Sequence, residues 1–370
     1  MKLTSSKYEF LKGVNAVSKA VSNKTTMDIL KCILIEAFDG VIKLTANDTE
    51  LGIETIIEGD IIEPGQIALE AKIFTEIIKK IPDNDVYIES DESGKTKIEC
   101  EQIECTIMGR LGNDFSHLPE IEKNNKITIS QFDLKEVIRQ TIFSISDNEN
   151  NKLMTGELLS VTNDTFTMTS LDGHRISIRN IQLSESYPKT EVIVPGKTLS
   201  EVSKILPGEA DDMVNIYLTD RHILFEFDQT KIVSRLLEGK FYAISQMLSN
   251  DYETKIHLNK MEMQRCLDRS TLFTKDSDKK PIVFKIENDK MNVVISSPIG
   301  SMKDQIPIKK EGKDLTIGFN PRFLIDALRV IDEEEITIYL INSIAPCIIK
   351  DEEATYLYLI LPINISNEDI

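Results

Sequence analysis

Short runs of alternating apolar and polar residues, each followed by an apolar stripe at helical spacing, recur along the whole chain. Lys2-Leu-Thr leads to Phe10-Leu-Lys, Lys126-Ile-Thr-Ile to Leu134-Lys-Glu, and Lys255-Ile-His-Leu to Met263-Gln-Arg, with eight residues from lysine to apolar residue each time. Each reads as a strand running into an amphipathic helix. A second unit reads Gln66-Ile-Ala-Leu, Lys72-Ile-Phe, Ile81-Pro, and returns as Glu191-Val-Ile-Val, Lys197-Thr-Leu, Leu206-Pro and as Asp314-Leu-Thr-Ile, Pro321-Arg-Phe, Val330-Ile. An acidic turn and a strand such as Val86-Tyr-Ile, Val214-Asn-Ile-Tyr-Leu or Ile336-Thr-Ile-Tyr-Leu follow it. Copies recur every 123 to 129 residues. The pattern predicts helices over 8–21, 72–81, 134–144, 197–206, 260–274 and 321–330. Alternating strands lie between them, for instance Val41-Ile-Lys-Leu-Thr-Ala, Phe166-Thr-Met-Thr-Ser and Val293-Val-Ile-Ser. Segments rich in Asn, Asp, Ser and Pro at 114–125 and 245–253 read as linkers. Three repeated domains are expected, over 1–120, 126–246 and 254–370. With two helices and a run of strands in each, the fold class is α+β with antiparallel sheets rather than a doubly wound parallel sheet.

Composition sets bounds on this picture. With 370 residues, 41% hydrophobic and 28% charged, the chain can bury two or three cores. No stretch approaches the ~18 consecutive apolar residues of a membrane span. No apolar segment follows the N-terminal MKLTSSKYEF, which predicts a cytoplasmic protein. Five scattered cysteines without a C-x-x-C read as reduced core thiols, not zinc ligands. Phosphate-binding, dinucleotide, nucleophile-elbow and zinc-protease motifs are all missing, so enzyme chemistry has no local support. Asp172-Gly-His174-Arg175 has the residue types of an acid–base pair or a metal site, but Asp-Gly after a strand reads better as a bend. His117, His222 and His257 share no motif with it. The acidic runs Asp332-Glu-Glu-Glu335 and Asp351-Glu-Glu353 read as solvated turns. No catalytic residue, cofactor or metal is expected.

Charge changes the picture more. The net charge is −18, yet the six predicted helices carry fourteen Lys or Arg against seven Asp or Glu, leaving the other 300 residues at −25. In the first helix Phe10, Val14, Val17 and Val21 form the apolar stripe, while Lys12, Asn15 and Lys19 lie opposite. Basic pairs spaced by four or seven recur as Lys72 and Lys79 (with Lys80 beside it), Lys135 and Arg139, Lys197 and Lys204, Arg265 and Arg269, and Arg322 and Arg329. On one helix such lysines are ordinary solvation. On six, in an acidic protein, they describe a basic wall that attracts phosphates while the exterior repels them. There is no Trp, and no aromatic residues interleave with these bases, which argues against stacking on single strands and for salt-sensitive, sequence-independent contact with a phosphate backbone.

Five motifs then carry a resemblance: Leu44-Thr-Ala-Asn-Asp-Thr-Glu-Leu, Leu171-Asp-Gly-His-Arg-Ile, Leu237-Glu-Gly-Lys-Phe, Ile317-Gly-Phe-Asn and Leu359-Ile-Leu-Pro-Ile. In this order, on a three-fold repeat, the chain resembles the bacterial DNA polymerase III beta subunits, the replicative sliding clamps. The resemblance covers essentially the whole chain. It implies the DNA clamp fold and a head-to-tail homodimeric ring that encircles double-stranded DNA without catalysis, gives the replicative polymerase its processivity, and docks the clamp loader and repair proteins. Twelve helices spaced ~10 Å apart give an axis-to-axis diameter of ~38 Å and a hole of roughly 28 Å, which admits a duplex. The cations named above would face the DNA, joined by the loop residue Lys24.

The family's partners dock by a short hydrophobic peptide motif in a pocket between the second and third domains. By resemblance its residues here are Met154, Leu171, Gly173, His174, Arg175, Ile176, Tyr242 and Met247 from the second domain and its linker. The third domain supplies Asn320, Phe323, Ile344, Pro346, Leu359, Leu361, Pro362 and Ile363. Read without the resemblance, they are domain core and C-terminal strand packing. Leu171 stands where the family usually has Thr or Ala, Tyr242 where Pro is usual, and Gln246 and Asn364 where Arg is usual. Ring-interface positions match Cys105, where an aromatic is common, and Ile107 from one chain, with Leu272 and Phe273 from the other. Two other readings are open at this point: a clamp paralogue acting as a protein-interaction adaptor with altered partner choice, and a metal-dependent nuclease without a recognisable motif.

Overall fold

The computed structural model describes all of the chain except residues 23–24, 249–250, 274–279 and 367–370. The chain groups into two compact units, Met1–Leu134 with Glu201–Leu236, and Lys135–Ser200 with Leu237–Ile370. The middle copy of the sequence repeat thus contributes to both.

Unit one holds two antiparallel sheets. The larger runs, in spatial order, Lys126–Ser130, Met213–Leu218, His222–Phe227, Thr230–Arg235, Leu51–Ile57, Val41–Asn47, Cys32–Phe38 and Gly65–Glu70. The smaller runs Asp60–Glu63, Lys2–Ser6, Asp85–Ser90, Lys95–Cys100 and Ile103–Met108. Unit two repeats the plan. Seven strands, Gly156–Leu171, Arg175–Pro195, Tyr356–Ile360, Cys347–Lys350, Glu335–Leu340, Thr254–Asn259 and Lys309–Gly312, form one sheet; Gly300–Pro307, Lys290–Ser297, Ile282–Glu287 and Leu315–Phe319 form the other.

Among the described residues there are six α-helices: α1 Lys7–Val17, α2 Ala71–Lys80, α3 Gln131–Arg139, α4 Gly196–Ile205, α5 Lys260–Ser270 and α6 Pro321–Val330. Each begins at the end of a strand, and in four of them a short polar side chain there caps the helix. The Ser6 hydroxyl accepts from Glu9 N (3.2 Å), the Ser130 hydroxyl from Asp133 N (3.0 Å), the Asn259 amide oxygen from Glu262 N (3.1 Å) and the Asn320 amide oxygen from Arg322 N (3.1 Å). Helices α1 and α2 pack with the Phe10 and Phe74 rings edge to face at 6.1 Å. Lys7 Nζ donates to the Ile81 carbonyl (2.6 Å) and Lys260 Nζ to that of Ile331, putting an ammonium at the negative end of α2 and α6 in turn.

The predicted helices are found, with corrected ends. Helix α3 starts at Gln131 rather than 134, because Ser130 caps it. It stops at Arg139, where the Thr141 hydroxyl donates back to the Val137 carbonyl (2.7 Å) and a 3-10 turn, Ile142–Ser144, follows. The same device ends α1, where Ser18 Oγ donates to Val14 O (2.5 Å), and α5, where Ser270 Oγ donates to Leu267 O (2.6 Å). A hydroxyl bonded to its own preceding turn favours a tightened last turn. Residue 274 lies outside the described residues.

The first linker is pinned by the Asn47-Asp-Thr-Glu-Leu-Gly52 motif. Asn47 Oδ1 accepts from Thr49 N (2.7 Å) and Asp48 Oδ1 from Leu51 N (2.8 Å), which holds Thr49 at φ 78°, while Asn47 Nδ2 donates to Ser116 O (3.2 Å). A Cβ on Gly52 would lie 2.0 Å from Leu118 Cδ2, so glycine here leaves room for the Leu118 side chain. Cys32, Cys100, Cys266 and Cys347 are buried, and burial pushes the thiols of Cys266 and Cys347 up to about 12. Cys105 corrects the expectation of five core thiols: it is half-buried on the outermost strand of the five-stranded sheet.

Glu157, paired with Val194 in unit two, is completely buried, and neither carboxyl oxygen has a hydrogen-bond partner among the described residues. Burial pushes its carboxyl up to about 8, opposed by the nearby Thr141 hydroxyl. The folded state therefore holds a proton that the unfolded chain releases near pH 4.5, and stability falls as pH rises from about 4.5 to about 8. Melting temperatures measured across this range are expected to fall with pH for the wild-type chain, and to fall less for Glu157→Gln.

Candidate functional site

Unit two contains an apolar cavity of about 300 Å³ whose floor is Leu171, Ile176 and Leu359, all buried, from three adjacent strands in register. Met154 and Tyr242 form its wall, and the exposed Met247 and Leu361 stand at its rim with Pro346. Two loops carry the wall. They are joined where Asn151 Nδ2 donates to Tyr242 Oη (2.6 Å).

The other wall is the turn at Asp172-Gly-His174-Arg175. Asp172 Oδ1 accepts from His174 N (2.9 Å) and Arg175 N (3.1 Å), and Gly173 takes φ 89°. Asp172 Oδ2 accepts from Arg175 Nε (2.9 Å), so both oxygens serve the turn and neither is paired with the His174 ring. The bend reading of this motif holds, and the acid–base reading does not. Arg175 is the hub: it also donates to Asp326 Oδ2 (2.7 Å) and to the Phe143 carbonyl (2.6 Å), with its guanidinium carbon 4.6 Å from the Phe323 ring centroid and 5.3 Å from that of Phe143. With its side chain only 11% exposed and each of its three nitrogens hydrogen-bonded, it positions the wall. Leu361 N donates to His174 O (2.8 Å), tying the C-terminal segment to the same turn. The lining offers apolar surface rather than free charge.

Of the pocket residues expected by resemblance, the structure places Met154, Leu171, Gly173, His174, Arg175, Ile176, Tyr242, Met247, Pro346, Leu359 and Leu361 around this cavity. Asn320, Phe323, Ile344, Pro362 and Ile363 do not line it. Asn320 caps α6, Phe323 stacks on Arg175 with His174 5.8 Å away, and Ile363 bridges to Gly318. Ile344 is 75% exposed, open to solvent beyond the cavity. Asn151 and Asp326 were missed, because their roles depend on partners 91 and 151 residues away.

Comparison with known proteins decides what kind of chain this is. The N-terminal domain of the DNA polymerase III beta subunit matches residues 1–119, the central domain 128–242 and the C-terminal domain 245–364. The chain belongs to the DNA polymerase III beta subunit family. It is 32% identical to the beta sliding clamp of Bacillus subtilis over 98% of this chain and 99% of that one. Among solved structures, a putative DNA polymerase III beta subunit from Eubacterium rectale is 59% identical with a TM-score of 0.96, each chain covered to 99%. The DNA polymerase sliding clamp of Bacillus subtilis is 32% identical with a TM-score of 0.94, over 99% of this chain and all of that one.

In this family member the basic helix faces are less uniform than the sequence suggests. Lys24 lies outside the described residues. Lys12, Lys19, Lys72, Lys79, Lys80, Lys197, Lys204, Arg265, Arg269, Arg322 and Arg329 are exposed, whereas Lys135 and Arg139 are half-buried. Lys79 and Lys80 reach Glu76 (3.6 and 3.3 Å), Lys204 reaches Glu201 (2.9 Å), Arg139 holds Glu136 (2.6 Å) and Asp332 (3.1 Å), and Arg269 holds Asp304. That last bond keeps the Asp304 carboxyl below the usual carboxylate range. Lys12, Lys19, Lys72, Arg265 and Arg329 form no ion pair with another described residue.

The expected interface residues sit on two distinct edges. Cys105 and Ile107 lie half-buried on Ile103–Met108, which ends the five-stranded sheet with one side unpaired; Ile103 and Met108 beside them are exposed. Leu272, 73% exposed, and Phe273 form the 3-10 turn after α5, in contact with Gly300–Pro307, the outer strand of the four-stranded sheet.

Arg175→Ala is expected to leave two carboxylates without their cation and lower stability by about 3 kcal/mol, the cost of breaking a mostly buried pair. Chemical denaturation checks this, and Arg175→Lys is expected to recover little, because a lysine cannot make the fork to Asp172 and Asp326.

Proposed function

We propose that this chain is a DNA sliding clamp: two copies close head to tail into a ring around duplex DNA, tether the replicative polymerase, and dock other replication and repair proteins. The observation that carries this is the match of the whole chain to the three beta-subunit domains in order, in a protein of net charge −18 whose helices together carry a net positive charge. An acidic exterior does not grip DNA. A closed ring does not have to, because topology holds the duplex and the helix cations only soften its passage.

The two edges support the head-to-tail closure. A strand with unpaired backbone groups is a template for pairing. Ile103–Met108 and Gly300–Pro307 are different surfaces, so joining one to the other in a second copy gives a heterologous contact that closes only if the rotation does. The apolar cavity of unit two suits an extended hydrophobic peptide, with Met154 and Met247 as adaptable walls for several partners. The protein acts by holding and presenting, not by catalysis. No described helix is long and apolar enough to cross a membrane, which accords with work on DNA in the bacterial cytoplasm.

Retention on nicked circular DNA through a high-salt wash, after loading by the cognate ATP-driven loader, tests the reading. Release on cutting the circle is expected; equal loss from circular and linear DNA would sink the clamp function. Light scattering tests the closure. A particle of twice 41.9 kDa is expected for the wild type, and a particle of 41.9 kDa for Leu272→Asp, where a charge meets the partner's apolar edge.

A further inference from the structure

The seven-stranded sheet of unit two continues beyond the pocket. From strand to strand, Leu171, Ile176, Leu359, Ile348, Tyr339 and Lys255 are successive cross-strand partners, so the row that floors the pocket runs on, along the same face, to an aromatic ring and a lysine. Lys350 pairs with Leu357, two positions before Leu359, and so shares that face. Ile244 and Leu248 of the linker pack against the same apolar cluster, which keeps the strip between pocket and lysines apolar. At its end Lys255 Nζ lies 5.9 Å and Lys350 Nζ 5.2 Å from the Tyr339 ring centroid, and the exposed Tyr252 ring stands edge to face with Tyr339 at 5.2 Å.

Neither lysine has a carboxylate partner among the described residues. On the larger sheet of unit one, by contrast, strand lysines are neutralised by their neighbours: Lys43 by Glu36 (2.9 Å) and Glu54 (3.5 Å), and Lys231 by Glu54 (3.3 Å). In unit two the acids beside the lysines are turned elsewhere. Asp351 accepts from Thr355 N (2.7 Å) and Thr355 Oγ1 (2.6 Å), Glu253 is held by Lys313 (2.8 Å), and the exposed Glu311, across the ladder from Lys255, forms no ion pair with it.

We infer that Lys255 and Lys350, held on Tyr339, form a subsite for carboxylates that flank the apolar motif of a docked partner, so that an apolar peptide with an acidic flank is preferred over the same peptide with a neutral one. The proposal rests on the docking reading and adds a charge requirement to it. Three ladder steps of ~4.8 Å put Lys255 about 14 Å from Leu359, a span that an extended peptide covers in about four residues. In a chain of net charge −18 an acidic segment is repelled over most of the surface, which makes two free ammonium groups beside the pocket selective. A nucleic-acid strand fits less well, because a run of phosphates crossing the lysines would meet Glu311 beside Lys255 and the exposed Glu352 and Glu353 beyond Lys350.

Fluorescence anisotropy of labelled peptides titrated with the full-length protein tests this. The peptides share one core of leucine and phenylalanine and carry a pair of aspartates, or of asparagines, about four residues away on each side. The aspartate peptide is expected to bind the wild type about fivefold more tightly than the asparagine peptide at low salt, and to lose that advantage both in ~1 M salt and on Lys255→Ala/Lys350→Ala. The asparagine peptide is expected to bind wild type and this variant alike, which reports an intact pocket. Lys285→Ala/Lys290→Ala removes the same charge from the four-stranded sheet and is expected to leave the preference unchanged. Equal binding of the two peptides by the wild type would overturn the subsite and leave peptide docking standing, whereas no binding of either would refute the docking reading and the subsite with it. Equal loss of preference in both double variants would overturn the subsite in favour of net charge. Weaker binding of a labelled single-stranded oligonucleotide by Lys255→Ala/Lys350→Ala, with the aspartate peptide unaffected, would assign the lysines to nucleic acid and also overturn it.

Discussion

The strand-to-helix junction is the constraint on which the rest depends. A strand that ends in Ser6, Ser130, Asn259 or Asn320 hands its last residue to a helix as a cap, and the helix must then lie back over one face of a sheet to bury its apolar stripe. The period of two along the strands fixes the rest. Residues on the covered face are the core, and those on the other face meet solvent or the linker. Everything functional sits relative to that division, because it decides which lysines meet carboxylates across a strand and which stand alone on a helix.

The division lets an acidic protein handle DNA. On the open face of the larger sheet of unit one, cross-strand neighbours neutralise lysines, a use of register that costs little at a solvated surface. On helices the same residue type finds a partner only three or four positions away or on another element. Lys12 and Lys19 have neither among the described residues. In unit two Arg139 and Arg269 do find partners on other elements, Asp332 and Asp304, and their charge serves packing.

The pocket follows a different logic. Its floor is three neighbouring strands with apolar residues in register, which makes it rigid. Its walls are loops fixed by polar bonds, Arg175 on one side and the Asn151–Tyr242 bond on the other. A rigid floor with stapled walls presents a preformed apolar slot.

Much of this was legible along the chain. Helix positions, strand alternation and the bend at Asp172 are local matters of period and turn chemistry, and the spacing of residues a few positions apart determined them. The excess of basic residues on helices was also a matter of counting. The tertiary structure alone decided which cations are spent, because Asp332 and Asp304 are remote in sequence from Arg139 and Arg269. It likewise separated Phe323 and Asn320, which support the pocket, from the residues that line it, and it ended α1, α3 and α5 early where a hydroxyl turned back on its own helix. Local spacing fixes a side chain's direction within its element. Charge compensation and cavity shape depend on which elements meet, and only the packed chain sets that.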